Sequence, residues 1–218
     1  MSSTAHPENA DGRATRWAGQ HERRRAEFVA AALTAIAAHG PDVSTQQIAR
    51  QAGVARTRLY KHFAGADDLR TAITSRVTEL LDVQLEPVRT PHGTPRQMIN
   101  VAYRSYLDWV TEHHHLYEYL LRYGPHGGWD DIRTTLGTHL TALFTEYLTA
   151  FDADTTPAQQ AAFGLIGYAE SATNRWLDHP EDTTREELVT QITEAAWALL
   201  DHMLRDVGIT LDPDRPLS

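Results

Sequence analysis

Seven residues close together in the chain carry side chains suited to nucleic acid: Thr45, Arg56, Thr57, Arg58, Tyr60, Lys61 and His62. An arginine fork matches the acceptor edge of guanine, and a threonine serves either a base edge or a phosphate. Tyrosine, lysine and histidine reach phosphate oxygens, which fix register without reading sequence. Arg56, Thr57 and Arg58 are therefore expected at base edges, with Tyr60, Lys61 and His62 on phosphates. Thr45 opens a helix and is expected to meet a phosphate through its hydroxyl and backbone N–H.

The stretch that must hold these groups, Ser44 to Phe63, reads as two short helices and a sharp bend. Ser44 or Thr45 can cap the first helix, and Gln47 stands three residues after Ser44, as a capping box requires. Ile48, Ala49 and Ala52 recur at helical spacing and share a buried face. Gly53 falls where that helix must stop and turn, a place that favours positive φ. Val54 and Leu59 anchor a second helix that is otherwise too polar for a core. A helix-turn-helix accounts for the whole pattern.

With these residues in view, the segment from about Arg23 to Ile73 resembles the DNA-binding domain of the tetracycline-repressor (TetR) family of transcriptional regulators. The resemblance rests on Arg23-Arg24-Arg25 leading to Ala38-His39-Gly40, on Thr45 to Ala52, on Ala52-Gly53-Val54 and on Leu59-Tyr60-Lys61-His62-Phe63. It covers about a quarter of the chain. The family has lysine at the start of its fourth helix, where this chain has Ala66 followed by Asp67-Asp68. The N–H groups of Gly65 and Ala66 remain available to a phosphate there.

Charge is distributed to match. The net charge of the 218-residue chain is −9, yet residues 12–76 hold 11 Lys and Arg against 5 Asp and Glu. Residues 77–218 hold 9 against 22. A basic head on an acidic body directs one end to phosphates and discourages binding by the other. With no cysteine in the chain, disulfides, thiolate metal sites and cysteine catalysis are excluded. The polar start lacks an apolar h-region and no eighteen-residue apolar run follows, so a cytoplasmic protein without membrane contact is expected.

Nothing alternates as a strand would, so the fold class is all-α, with about nine helices: an N-terminal three-helix head and a C-terminal bundle. Expected boundaries are a flexible arm over 1–20, the head over 21–66, a ligand-binding and dimerisation domain over 67–206, and a loose tail over 207–218. An untethered tail is the leading reading of that arm, with contact of Arg13 and Arg16 to the minor groove or phosphates as the alternative. Helix 4, from Ala66 toward Pro87, joins head and body.

The resemblance implies a small-molecule site in the body, released from any fixed identity by the sequence alone. Aromatic residues with polar tips suit a lipophilic effector, and Tyr106, Trp109, Tyr123, Phe144, Tyr147 and Trp176 are the candidates. It also implies a homodimer through the last two helices, with Ala161, Gly164, Gly167 and Trp197 at the crossing, because small residues admit close approach and paired half-sites call for a two-fold. Function is thus expected to be that of a repressor, released from a palindromic operator by a small effector and using no cofactor. One alternative is a DNA-binding activator or architectural protein without ligand. The other is a His/Glu metal-dependent enzyme built on His113-His114-His115 and the His114/Glu118 spacing, although HExxH, GxSxG, P-loop and dinucleotide motifs are missing.

Overall fold

The computed structural model describes residues 8–84, 92–123 and 129–216. Within them lie nine α-helices and no strand: α1 (Glu8–His39), α2 (Thr45–Gln51), α3 (Arg56–Leu59), α4 (Ala66–Gln84), α5 (Pro95–Glu112), α6 (His114–Arg122), α7 (Trp129–Ala150), α8 (Ala158–Asp178) and α9 (Arg185–Asp206). The all-α class expected from the sequence is the one observed. Of the Pro- and Gly-rich runs that the sequence sets between helices, 87–95 and 124–128, residues 87–91 and all of the second lie outside the described residues.

The chain divides into two compact units. The first comprises α1, α2, α3, α4 up to Val77, and α6. Its core is the apolar stripe of α1 (Phe28, Val29, Ala32, Ile36) with Ile48, Ala49, Leu59, Phe63, Leu69 and Ile73, all buried. Membership of α6 was not expected: it is sequentially part of the body. His115 Nδ1 lies 3.0 Å from the Ala37 carbonyl, one of the acceptors left free at the end of α1. Arg122 of α6 pairs with Asp42.

The second unit holds the end of α4 with α5, α7, α8 and α9. Two of its helices, α5 and α9, begin on strong caps. Thr94 with Gln97 and Thr184 with Glu187 each close a capping box, and Pro95 stands in the first turn of α5. Along α5 and α9 the pairs Arg96–Glu194, Arg104–Glu186 and Asp108–Arg185 run in opposite sequence order, so the two helices are antiparallel. Exposed pairs of this kind fix register more than stability. Among the described residues, two buried clusters stand out. One joins Leu148, Ala158, Ala161, Met203, Leu204 and Ile209. The other joins Tyr103, Leu107, Leu188, Val189 and Ile192.

Three boundaries depart from expectation. The first helix begins at Glu8, so residues 8–20 are helical where a flexible arm was expected. That stretch has no proline and no apolar stripe; it extends a packed helix without a new nucleation cost, which periodicity does not register. The head does not end at residue 66, since α4 stays with the first unit to Val77 and α6 returns to it. The tail over 207–216 is packed, not loose. Gly208 (φ 82°) turns the end of α9, with Gly208 N–H on the Arg205 carbonyl and Ile209 N–H on that of Leu204, a Schellman motif. Ile209 is thereby buried beside Leu204. Pro213 then offers its carbonyl to the N–H of Arg96 at 3.1 Å, satisfying a donor left free in the first turn of α5.

Candidate nucleic-acid interface

The head is built from short local devices. Ser44 caps α2 and its hydroxyl accepts from the Gln47 N–H, while the Gln47 side chain accepts from the Ser44 N–H at 2.9 Å. At the other end Gly53 adopts φ 67°, and the N–H groups of Gly53 and Val54 bond the carbonyls of Arg50 and Ala49. This is a second Schellman motif, and it is the bend between α2 and α3. An open cleft of about 320 Å³ flanks it, lined by Arg24, Glu27, Phe28, Ala52, Gly53, Val54 and Arg58. Helix α3 is one turn long and continues as tighter turns, with Lys61 and His62 N–H groups on the carbonyls of Arg58 and Leu59.

Of the seven sequence-predicted contact residues, the fold brings three together. The Tyr60 hydroxyl lies 3.4 Å from Thr45 Oγ1 and 3.4 Å from an Arg56 guanidinium nitrogen. Its hydrogen bonds with Thr45 and with Arg56, and after them the charge of Arg56, hold the phenol pKa below its ordinary value. Hydroxyl, phenol and guanidinium thus converge on one spot, a donor set suited to a phosphate. Thr57, Arg58 and Lys61 stand exposed beside it.

His62 is placed otherwise. Its ring lies 5.4 Å from that of Phe28 and 5.0 Å from that of His21, and its Nδ1 is buried with no partner among the described residues. Burial, followed by the positive charges of His21, Arg24, Arg58 and Arg25, lowers its pKa. The ring is half-buried against α1, with its Nδ1 edge turned inward.

Sequence reasoning missed the group behind the recognition helix. Arg25 of α1 forms a fork on Asp68, at 2.9 and 2.7 Å, and donates to the His62 carbonyl at 2.6 Å. Its guanidinium lies over the Phe63 ring at 4.4 Å. Asp68 also accepts the Ala64 N–H at 2.8 Å. The Arg25 hydrogen bonds come first among the causes that pull the Asp68 carboxyl down to about 2. Forty-three residues separate the two partners, so no local signal could pair them.

The six aromatic candidates fall into several local groups. Tyr106 and Trp176 pack on the Tyr103 cluster, where the Trp176 Nε1–H is taken up by the Thr183 carbonyl at 2.8 Å. Phe144 and Tyr147 pack on the Leu148 cluster. Tyr147 carries a buried hydroxyl without a partner among the described residues, and burial raises its pKa. Trp109 is 2% exposed, and its Nε1 also lacks such a partner. Tyr123 belongs to the first unit, 4.8 Å from the Tyr119 ring and under the Arg70 guanidinium.

The four dimer candidates also divide. Ala161 and Trp197 are buried within the chain at 7% and 9% exposure. Gly164 and Gly167 face outward, with no atom within 4 Å of where a Cβ would stand. The glycine that does serve a close crossing is Gly137 of α7, a residue the sequence did not single out. A Cβ there would lie 2.4 Å from the tip of Phe163 in α8. As for a metal, His114 Nε2 lies 3.6 Å from Glu118, His115 turns to Ala37, and His113 sets its ring at 84° to Trp109. Among the described residues no group of three or more His, Cys, Asp or Glu could hold an ion.

Two family models match the chain. Residues 28–73 match the bacterial regulatory proteins of the tetR family, and residues 95–199 match the tetracyclin repressor-like C-terminal domain. An uncharacterised helix-turn-helix-type transcriptional regulator of Mycobacterium tuberculosis is 25% identical over 194 residues, covering 87% of this chain and 82% of the relative. The crystal structure of a tetR-family regulator from Streptomyces coelicolor aligns with a TM-score of 0.65 at 28% identity, over 85% of this chain and 83% of that one. The FadR regulator of Bacillus subtilis, solved with stearoyl-CoA, shares the fold at a TM-score of 0.58 and 18% identity, over 79% and 96% of the two chains. Matches over both head and body, on a helix-turn-helix with its donors on one face, make this chain a member of the TetR family of DNA-binding transcriptional regulators.

Proposed function

We propose that this regulator is a ligand-responsive repressor, acting in the cytoplasm, that binds a palindromic operator as a homodimer and is released by a small, largely apolar effector. The observation that carries the DNA half is the convergence of Thr45, Arg56 and Tyr60 on one spot, with Arg58 and Lys61 exposed alongside. In this reading Arg56, Thr57 and Arg58 read bases, while Thr45, Tyr60 and Lys61 hold phosphates. His62, half-buried with its Nδ1 edge turned inward, offers a phosphate its other ring nitrogen alone.

Support for an effector comes from the body. Trp109 and Tyr147 each bury a polar tip without a protein partner among the described residues, and such atoms are costly unless something pairs them. An apolar molecule carrying an acceptor group suits either tip. Dimerisation is assigned to the outward face of α8 around Gly164, Gly167 and the half-exposed Tyr168, and to α9. Transmission is assigned to α4, the helix that the boundary between the units cuts at Val77. An effector that prefers one tilt of α4 alters the spacing of two recognition helices, which must stand about one DNA turn apart. Coupling of ~1–3 kcal/mol changes affinity ~5–150-fold in both directions.

The test is to titrate a compound found by thermal-shift screening with and without operator. The proposal requires weaker binding when operator is present, and equal affinity refutes it. A second reading, a regulator with no small ligand, draws support from the scattering of the six aromatic candidates; it requires that no compound raise the body's thermal stability.

A further inference from the structure

We infer that Arg25 and Asp68 are positioning residues for DNA recognition: their ion pair sets the angle of the recognition helix, and neither touches DNA. The inference rests on the reading that the Thr45–Lys61 face meets DNA.

The recognition helix spans only Arg56–Leu59. A single turn has no independent stability, since isolated helices need roughly 12–15 residues even when favourable. Its direction must therefore be imposed at its two ends. The entry is held by the Gly53 turn. The exit, residues 62–65, has little regular structure of its own, and Arg25 and Asp68 supply what holds it.

Three attachments converge there. Arg25 donates to the His62 carbonyl, at the point where the turns after α3 run out. Asp68, in the first turn of α4, accepts the Ala64 N–H. The two side chains close on each other through a two-bond fork with 22% and 32% of their surfaces exposed. The guanidinium also covers the Phe63 ring, and Phe63 is buried. Arg25 shares one face of α1 with His21 and Phe28, four residues before and three after, and both of those rings hold His62. Thus α1 grips the exit of the recognition helix at successive points, with Arg25 at the centre.

This arrangement reverses the plain reading of two residues. By charge alone Arg25 looks like a phosphate ligand and Asp68 like a residue that repels DNA. In the fold, the arginine is committed to a bidentate partner and a ring, and a phosphate could take it only by breaking both. The aspartate, in place of charge that the first turn of α4 lacks, orders the loop.

The two accounts predict opposite signs for Asp68→Asn. Removing a negative charge near DNA strengthens binding to any duplex if only electrostatics matter. If the pair positions the helix, the same change weakens specific binding. The experiment uses the full chain, a duplex selected by the wild-type protein from a random-sequence pool, and a scrambled duplex of equal length. Asp68→Asn is expected to weaken the selected duplex at least tenfold and to leave the scrambled one unchanged or slightly tighter. Arg25→Gln is expected to do the same with the salt slope on scrambled DNA intact, and the double variant to lose no more than either single one.

Tighter or unchanged binding of the selected duplex by a folded Asp68→Asn protein overturns the inference. So does an Arg25→Gln protein that loses both duplexes equally, with the salt slope reduced by about 0.9, the signature of one lost phosphate contact. If Asp68→Asn does not fold, Asp68→Glu decides the matter, because it keeps the charge and displaces the carboxylate; unchanged affinity there is also fatal. Lys61→Ala separates the two levels: should it leave both duplexes bound as before, the reading of the DNA face fails, whatever the pair does.

Discussion

Replacing Gly53 with alanine isolates one physical cause in the bend of the helix-turn-helix. The residue has φ 67°, and a Cβ placed on it would meet no atom within 4 Å. Any cost is therefore backbone conformation and not collision. A left-handed backbone costs an L-residue ~1–2 kcal/mol. Against this, alanine narrows the unfolded ensemble and returns ~0.4–1 kcal/mol. The net expectation is a loss of about 1 kcal/mol, which for a unit of this size lowers the melting temperature by roughly 4–8 °C. Asparagine tolerates the left-handed region and should lose less than half as much. D-alanine, introduced by semisynthesis, prefers positive φ and should match or exceed the wild type. The assay is urea and thermal unfolding of the full chain, followed by circular dichroism and by exchange of the Val54 N–H, which bonds the Ala49 carbonyl. Alanine equal to glycine, or asparagine no better than alanine, would refute the claim that a left-handed residue makes this bend.

Further outcomes are expected elsewhere. Gly137→Ala gains about 1 kcal/mol of helix propensity but sets a methyl 2.4 Å from Phe163, and overpacking costs ~1–3 kcal/mol; it should destabilise the wild type and stabilise a Phe163→Ala protein, as a double-mutant cycle by denaturation will show. His62 has a folded pKa below the 6.5 of a free imidazole, so the unfolded chain binds the proton more readily and stability should fall as pH is lowered through about 6.5. His62→Gln should flatten that limb in pH-resolved unfolding. Asp68, held at about 2 against 3.8, adds stability above pH 3.8 that is lost as pH falls toward 2. On DNA, Lys61→Ala should weaken all sequences alike and reduce the salt slope by about one, while Arg56→Ala or Arg58→Ala should relax base preference by ~1–3 kcal/mol in competition binding.

The parts legible in the sequence were those encoded by neighbours. Ser44 with Gln47, and Gly53 with its apolar flanks, each act within a few residues and stand where local chemistry placed them. What escaped was set by distant packing. Nothing local joins Arg25 to Asp68, and Asp67-Asp68 stood out only as the place of a missing lysine. The α8 glycines drew attention for rarity within a helix, yet they face open space, while Gly137 sits against a ring that only the fold brings to it. The tail looked loose because proline and aspartate dominate it; one isoleucine behind a helix-ending glycine was enough to anchor it. Likewise the start of α1 is polar throughout and continues a helix fixed further along.

The placement of α6 has a consequence for anyone wishing to transplant the recognition half of this regulator. Chimeras are usually joined by one cut between modules, and here a single cut cannot free the head whole. Severing the chain at Val77 leaves behind the helix that satisfies the Ala37 carbonyl and pairs with Asp42. Severing it after α6 carries along α5, stripped of the antiparallel partner that supplies Glu194, Glu186 and Arg185. Exchange of specificity between relatives is therefore better made by grafting the face of α2 and α3 onto an intact chain than by swapping ends, and a natural recombination in the same interval would inherit the same defect.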